Sequence, residues 1–265
     1  MNFLFMLLFG FFSFSAYAAN PPTLSNLNQA DANSIMQNFG NAVVFRAVEP
    51  PSANGKIWGI GVGIAGDVTS ATDTNNVLSK SGASPNISAL PGADLVLTLQ
   101  APLGLSAEAG FLPRMTFGSL SEKRTAFNVK WTFTDLFLRG QTPFDAAVRV
   151  GFGRNEFSYG QTTNGVQDTV KFDSKAFRAE LAFSRKILVF EPFIGLGLLR
   201  TSNTLSNTAN ASLYSFTNSQ SYEYSKSSFV FNIGAEVRLL ILTVGAQVEW
   251  AFGETAAAAK VGLKF

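Results

Sequence analysis

The stretch FNVKWTF, residues 127–133, sets Phe127, Val129, Trp131 and Phe133 against Asn128, Lys130 and Thr132. A period of two places the first set on one face of a pleated strand and the second on the other. The same alternation runs through DAAVRVGFG (145–153), where Ala146, Val148, Val150 and Phe152 oppose Ala147, Arg149, Gly151 and Gly153, and through AFRAELAF (176–183). It returns in FVFNIGAEVRL (229–239), in LTVGAQVEW (242–250) and in the closing residues AAKVGLKF (258–265). Period two in so many segments excludes a helical fold and predicts an all-β chain.

Ten strands are expected, near 56–69, 93–101, 104–116, 122–134, 145–158, 169–184, 188–201, 223–239, 241–252 and 257–265, with twelve as the alternative count. About 9 to 11 residues suffice to cross a bilayer at the usual strand tilt. The connections after the first, fifth and seventh strands (about 70–92, 159–168 and 202–222) are long and rich in Ser, Thr, Asn and Gly, whereas those after the second, sixth and eighth are a few residues. Long loops at one end and short turns at the other are the layout of an outer-membrane barrel. The connection 135–144 is longer than that layout expects.

The direction of the apolar face separates a barrel from a soluble sandwich. A sandwich turns its apolar face inward and shows a charged exterior. Here only 14% of residues are charged and 26 are Phe, against roughly 25% charged in soluble domains. The polar faces are mostly Gly, Ala, Ser, Thr and Asn, too mild for a solvated exterior but suited to a narrow lumen. With large apolar side chains facing lipid, the backbone finds no water to bond, so the sheet must close on itself. The expected fold is a closed antiparallel transmembrane β-barrel over residues 56–265 with a short N-terminal helical or extended segment.

Residues 1–18, MNFLFMLLFGFFSFSAYA, combine a short apolar run with the triplet Ala16-Tyr17-Ala18 and read as a secretory signal peptide cut after Ala18 or Ala19. Residues 19–55 break the barrel pattern. Pro21-Pro22 is followed by Leu27, Ile35 and Phe39 at roughly helical intervals, with Asp31 or Asn33 as possible caps, and then by extended VVFRAV and a turn at Pro50-Pro51. This segment reads either as a periplasmic leader under the barrel mouth or as a plug. Glycines on inward positions, Gly59, Gly61, Gly63, Gly151, Gly153, Gly195 and Gly197, favour close approach of another backbone. With an even strand number, both termini are expected in the periplasm.

The tail Ala259, Val261, Leu263, Phe265, with Lys260, Gly262 and Lys264 between, resembles the C-terminal insertion signal of Gram-negative outer-membrane β-barrels, which end on an aromatic residue. That resemblance implies an outer-membrane location, with Val261, Leu263 and Phe265 as the insertion signal, and membrane lipid and the barrel-assembly machinery as partners. It brings no catalytic motif.

Chemistry is narrowed by absence. The chain has no His and no Cys, which removes the commonest general base, thiolate chemistry and the usual metal-ligand sets. The barrel enzymes that invite comparison resemble one another in using a His, so no enzymatic activity, metal or cofactor is expected. A net charge of +2 leaves no footprint for nucleic acid. GVGIAG, residues 61–66, fits G-x-G-x-x-G, but a loop and not a helix follows it, so no phosphate cradle forms. The candidate luminal charges are Glu108, Glu180, Glu191, Glu236 and Glu249 against Lys130, Arg149, Arg178, Arg238 and Lys260. Such a balanced set predicts an internal ion-pair network, since an unpaired charge in a narrow bore is costly. Three functions fit: a narrow pore for small solutes of unidentified chemistry, a structural or adhesive barrel acting through its outer loops, and a plugged transporter for apolar substrates, which resembles the fatty-acid channel family in its N-terminal plug.

Overall fold

The computed structural model describes residues 28–53, 58–80, 89–117, 120–138, 142–163, 166–211 and 216–265. The expected signal peptide, 1–18, lies outside them. In chain order the elements are α1 (Gln29–Ala42), β1 (Gly59–Ser70), α2 (Thr72–Lys80), β2 (Ala89–Gln100), β3 (Leu105–Phe117), β4 (Leu120–Thr132), α3 (Phe133–Phe137), β5 (Asp145–Thr163), β6 (Val166–Ser184), β7 (Phe190–Ala211), β8 (Phe216–Leu239), β9 (Leu242–Ala251) and β10 (Glu254–Lys264). Each strand pairs antiparallel with its sequence neighbours, and β1 pairs with β10 from Gly61↔Lys264 to Thr69↔Ala256, closing a ten-stranded barrel. Beyond the ladder, Phe265 and Ile60 exchange backbone hydrogen bonds of 2.8 and 3.1 Å. The last residue therefore ties the final turn of the seam.

The alternation sorts side chains as the sequence predicts. Phe127, Val129, Val148, Val150, Phe152, Ile194, Leu196 and Ile233 point outward and are exposed, while Asn128, Arg149 and Gly195 between them are buried and Gly151 is half-buried. Phe229 is 84% exposed. Such a surface is stable only against hydrocarbon, because one exposed patch of this extent exceeds what a water-soluble monomer tolerates.

Two features differ from the sequence expectation. The connections expected at 159–168 and 202–222 are largely strand, because β5–β6 and β7–β8 continue their ladders as far as Thr163↔Val166 and Ala211↔Phe216. Thr favours strands and the backbone ladder overrides the weaker strand preference of Ser and Asn, so the hairpins rise past the apolar band as polar ribbons. Within 70–92, α2 forms and β2 starts at Ala89. The long connection 135–144 begins with α3, whose Phe137 packs edge-on to Trp131 at 6.0 Å.

From Ala32 to Ser52 the N-terminal segment lies inside the barrel, while residues 28–30 are exposed at its mouth. Asn28 caps α1, its side chain accepting from Asp31 N at 2.8 Å, so the cap is neither Asp31 nor Asn33. Ala32 and Met36 of α1 pack with Phe172 and Leu205, and the Phe39 ring meets Phe157 and Phe172 at 5.8 and 5.6 Å. These partners belong to the tall hairpins, so α1 sits at the hairpin end of the bore. The β-branched Val43, Val44 and Val48 and the pair Pro50-Pro51 favour extended backbone, and 43–53 runs without helix or ladder to the short-turn end. Although a hydrogen bond of 2.9 Å from Glu49 N to the Ala47 carbonyl tightens it, the segment runs from Val44, packed on Phe252 at the hairpin end, to Ser52, bonded to Glu191 near a short turn. The described part of the N-terminal segment thus starts at the end opposite Phe265; the N-terminus, expected on the same side as Phe265, lies outside the described residues.

Candidate functional site

Three tiers of contact hold the segment in the lumen. At the hairpin end, Gln37 Nε2 donates to the Phe252 carbonyl at 2.9 Å, and Asn38 Nδ2 donates to Glu254 Oε1 at 2.9 Å while its Oδ1 accepts from Thr74 N at 2.7 Å. Asn203 Nδ2 donates to the Met36 carbonyl at 3.1 Å. Gly40 permits this approach, since a Cβ there would lie 2.6 Å from Asn203 Nδ2. Below it, Val44 joins Ala176, Leu199, Val230, Ala251 and Phe252 in a small apolar cluster.

The middle tier is an alternating chain of charge. Arg46 Nη1 meets Asp67 at 3.0 Å and Arg46 Nε meets Glu249 at 3.1 Å, all three side chains being buried. On one side, Arg124 bonds Asp67 and Asp94, each at 3.3 Å. On the other, Glu249 pairs with Arg178, Arg178 with Glu180, and Glu180 with Arg149 at 3.2 Å. The order Asp94, Arg124, Asp67, Arg46, Glu249, Arg178, Glu180, Arg149 alternates in sign throughout. Arg46, contributed by the threading segment, links its two halves. Its Nη2 also donates to the Asn41 carbonyl at 2.9 Å, which locks the turn leaving α1.

The lowest tier surrounds Glu49. Lys264 and Lys130 approach its carboxylate at 3.1 and 3.5 Å, and Arg149 donates to its carbonyl. Lys130 Nζ donates to the carbonyls of Pro50 and Ser52 at 2.8 and 3.0 Å, and Ser52 Oγ donates to Glu191 at 2.8 Å. The proline pair thus offers its carbonyls, having no N–H to satisfy. A buried charge is tolerated only with several partners, and each of these groups has them.

The ten predicted luminal charges all point inward. Arg149, Arg178, Glu180 and Glu249 fall in the middle chain, and Lys130 and Glu191 grip the lower segment. Lys260 bonds Glu108 at 2.6 Å, while Arg238 bonds Glu236 at 2.9 Å. Glu180 and Glu249 share Arg178, whereas Glu191 lies beside Ser52 and Ser184. The glycines pressed by the threading segment are Gly110, where a Cβ would lie 2.6 Å from the Phe45 ring, and Gly245, where it would lie 3.0 Å from Val48. Gly61 and Gly195 instead face wall residues such as Thr98 and Asn232. Sequence reasoning missed Arg46, Glu49, Asp67, Asp94, Arg124 and Lys264. One signal was available: Arg46 and Glu49 are the only charges between Ala32 and Gly55. Among the described residues, no group of three His, Cys, Asp or Glu is placed to hold a metal.

An apolar exterior around a closed sheet, with a charged bore occupied by its own N-terminal segment, defines an outer-membrane-type β-barrel with an internal occupant. The chain belongs to DUF6588, a family of unknown function, whose profile matches residues 51–265. No curated protein matches it. Among solved structures it is similar to the attachment invasion locus protein Ail of Yersinia pestis, with 11% identity over 78% of this chain and 97% of that one at a TM-score of 0.31. It is likewise similar to the translocator domain of autotransporter NalP from Neisseria meningitidis (10%, 81% and 90%, TM-score 0.42) and to a major outer membrane protein from Thermus thermophilus (10%, 78% and 99%, TM-score 0.38). None of these likenesses assigns an activity to this chain.

Proposed function

We propose that this protein is a bacterial outer-membrane barrel whose residues 28–53 act as a plug, leaving a narrow, gated pore that is closed to hydrophilic solutes of sugar size at rest. The observation that carries the reading is Arg46, buried at 3% exposure and shared by Asp67 of β1 and Glu249 of β9, the two strands that flank β10. A ten-stranded bore is little wider than that of eight-stranded barrels, which side chains fill. An occupant fixed at three levels closes it. The apolar terminal residues Val261, Leu263 and Phe265 serve as the insertion signal for the barrel-assembly machinery, and lipid is the surrounding partner. No catalytic role is proposed, because the bore holds paired charges and no His.

Planar-bilayer recording tests the reading. The intact protein gives little or no conductance, and Arg46→Ala, which removes the central link, raises it. A large, steady conductance from the intact protein refutes the plug. A second reading, a structural or adhesive barrel, draws support from the β5–β6 and β7–β8 hairpins, whose ladders outrun the apolar band. It predicts that Arg46→Ala leaves the barrel electrically silent.

A further inference from the structure

The occupant does not fill the bore evenly. Its ion pairs run to β1, β4, β9 and β10, and polar atoms without a partner remain around the bore; on β2, β3 and β5 they fall into two groups separated along the barrel axis. Among the described residues, Asp94 Oδ1 and Asn155 Oδ1 nearer the hairpin end, and Glu108 Oε2, Ser106 Oγ and Gln100 Nε2 nearer the short-turn end, have no hydrogen-bond partner. These residues are all at least nine-tenths buried and face the lumen. Buried polar atoms rarely stay unbonded without water beside them.

Between the two groups the wall changes character. Cross-strand neighbours Gly63↔Val96, Val96↔Gly110, Gly110↔Ala126, Ala126↔Gly153 and Gly153↔Ala176 form a row across six strands with no polar side chain. On that row rests the Phe45 ring, so close that a Cβ on Gly110 would lie 2.6 Å from it. Immediately beside Phe45 a cavity of about 20 Å³ remains, lined by Val44, Ala47, Asn128, Gly151, Arg178 and Glu180 among others. That volume holds about one water.

The geometry points to a path for water and small inorganic ions along the β2–β5 wall, with Phe45 of the plug as its hydrophobic constriction. This rests on the plug reading above and assigns the residual conductance to one side of the bore. Polar sites above and below keep ions solvated, and an apolar ring touching a row without polar groups dewets the step between them, which is how hydrophobic constrictions close. The small side chains of the row matter because larger ones would hold Phe45 off the wall.

Full-length Phe45→Ala, Phe45→Trp, Val96→Thr and Arg46→Ala proteins, each checked for heat-modifiable gel mobility, are recorded in planar bilayers in potassium chloride and assayed for glucose uptake by liposome swelling. Phe45→Ala should raise conductance by about threefold or more, and Phe45→Trp should not. Val96→Thr, nearly isosteric and remote from the plug's ion pairs, should also raise it by wetting the row. Glucose should stay excluded in the Phe45 and Val96 variants, because the plug remains. Arg46→Ala raising conductance while Phe45→Ala and Val96→Thr leave it unchanged overturns the path and spares the plug. Glucose entry through Phe45→Ala also overturns the path, since it shows that the whole plug has moved. No change in any variant overturns both.

Discussion

Replacing Arg46 by Ala should release the plug without unfolding the barrel. Arg46 makes two buried ion pairs, at 3.0 Å to Asp67 and 3.1 Å to Glu249, and donates to the Asn41 carbonyl. Removing one partner of a buried pair costs about 3–5 kcal/mol, because the other charge is stranded. Here Asp67 keeps Arg124 and Glu249 keeps Arg178, which places the loss near the low end, about 3 kcal/mol. Since 1.4 kcal/mol is tenfold, the population with the segment detached rises by about two orders of magnitude. Native-state hydrogen exchange reads this directly: amides of residues 44–49 should exchange about 100-fold faster, while amides of β9 and β10 serve as an unchanged internal reference. Arg46→Lys should fall between, because one ammonium replaces a guanidinium that reaches two carboxylates through separate nitrogens. Acceleration below about threefold at 44–49, with the barrel amides unchanged, refutes the view that the alternating charge chain holds the segment. Equal acceleration at both sites refutes the separation of plug from barrel.

Gly63→Ala should weaken barrel closure by about 1–3 kcal/mol, because the new Cβ would lie 2.7 Å from the Val261 carbonyl on β10; a shift to lower temperature in the heat-modifiable gel transition measures it. Deleting Phe265 should slow assembly, since its backbone bonds to Ile60 and its exposed ring end the β1–β10 seam; unchanged outer-membrane levels would show that the residue is dispensable. Gly40→Leu should displace the Asn203 amide from the Met36 carbonyl and loosen α1 alone, read as faster exchange over 29–42. Protease added to intact cells should cut in the β5–β6 or β7–β8 hairpin and spare the turns at 101–104 and 240–241; the opposite pattern would invert the orientation.

The β-barrel was legible because period two is a local property: FNVKWTF carries its facing in its own order, and a one-residue slip would expose Asn128 and Lys130 to lipid. The inward facing of Arg178, Glu180, Glu236 and Glu249 followed from the same rule. The tall hairpins were harder, because Ser- and Asn-rich stretches such as 202–211 suit loops and solvated strands alike, and only the ladder between β7 and β8 decides. The short turns gave a weaker signal still: Leu103, Leu188 and Leu240 adopt positive φ where Gly or Asn is the usual marker.

What the sequence determined alone is the sidedness of each strand and the sign of what it points inward. Which charge meets which was decided by the tertiary structure. Asp67, Glu249 and Arg46 lie on β1, β9 and a strandless segment, 21 and 203 residues away from Arg46 respectively. No local pattern relates them. They meet because closure of β1 on β10 brings opposite ends of the chain around one narrow bore, and because an extended segment with two isolated charges is long enough to run through it. Electrostatic pairing at such separations depends on distances that only the closed register sets.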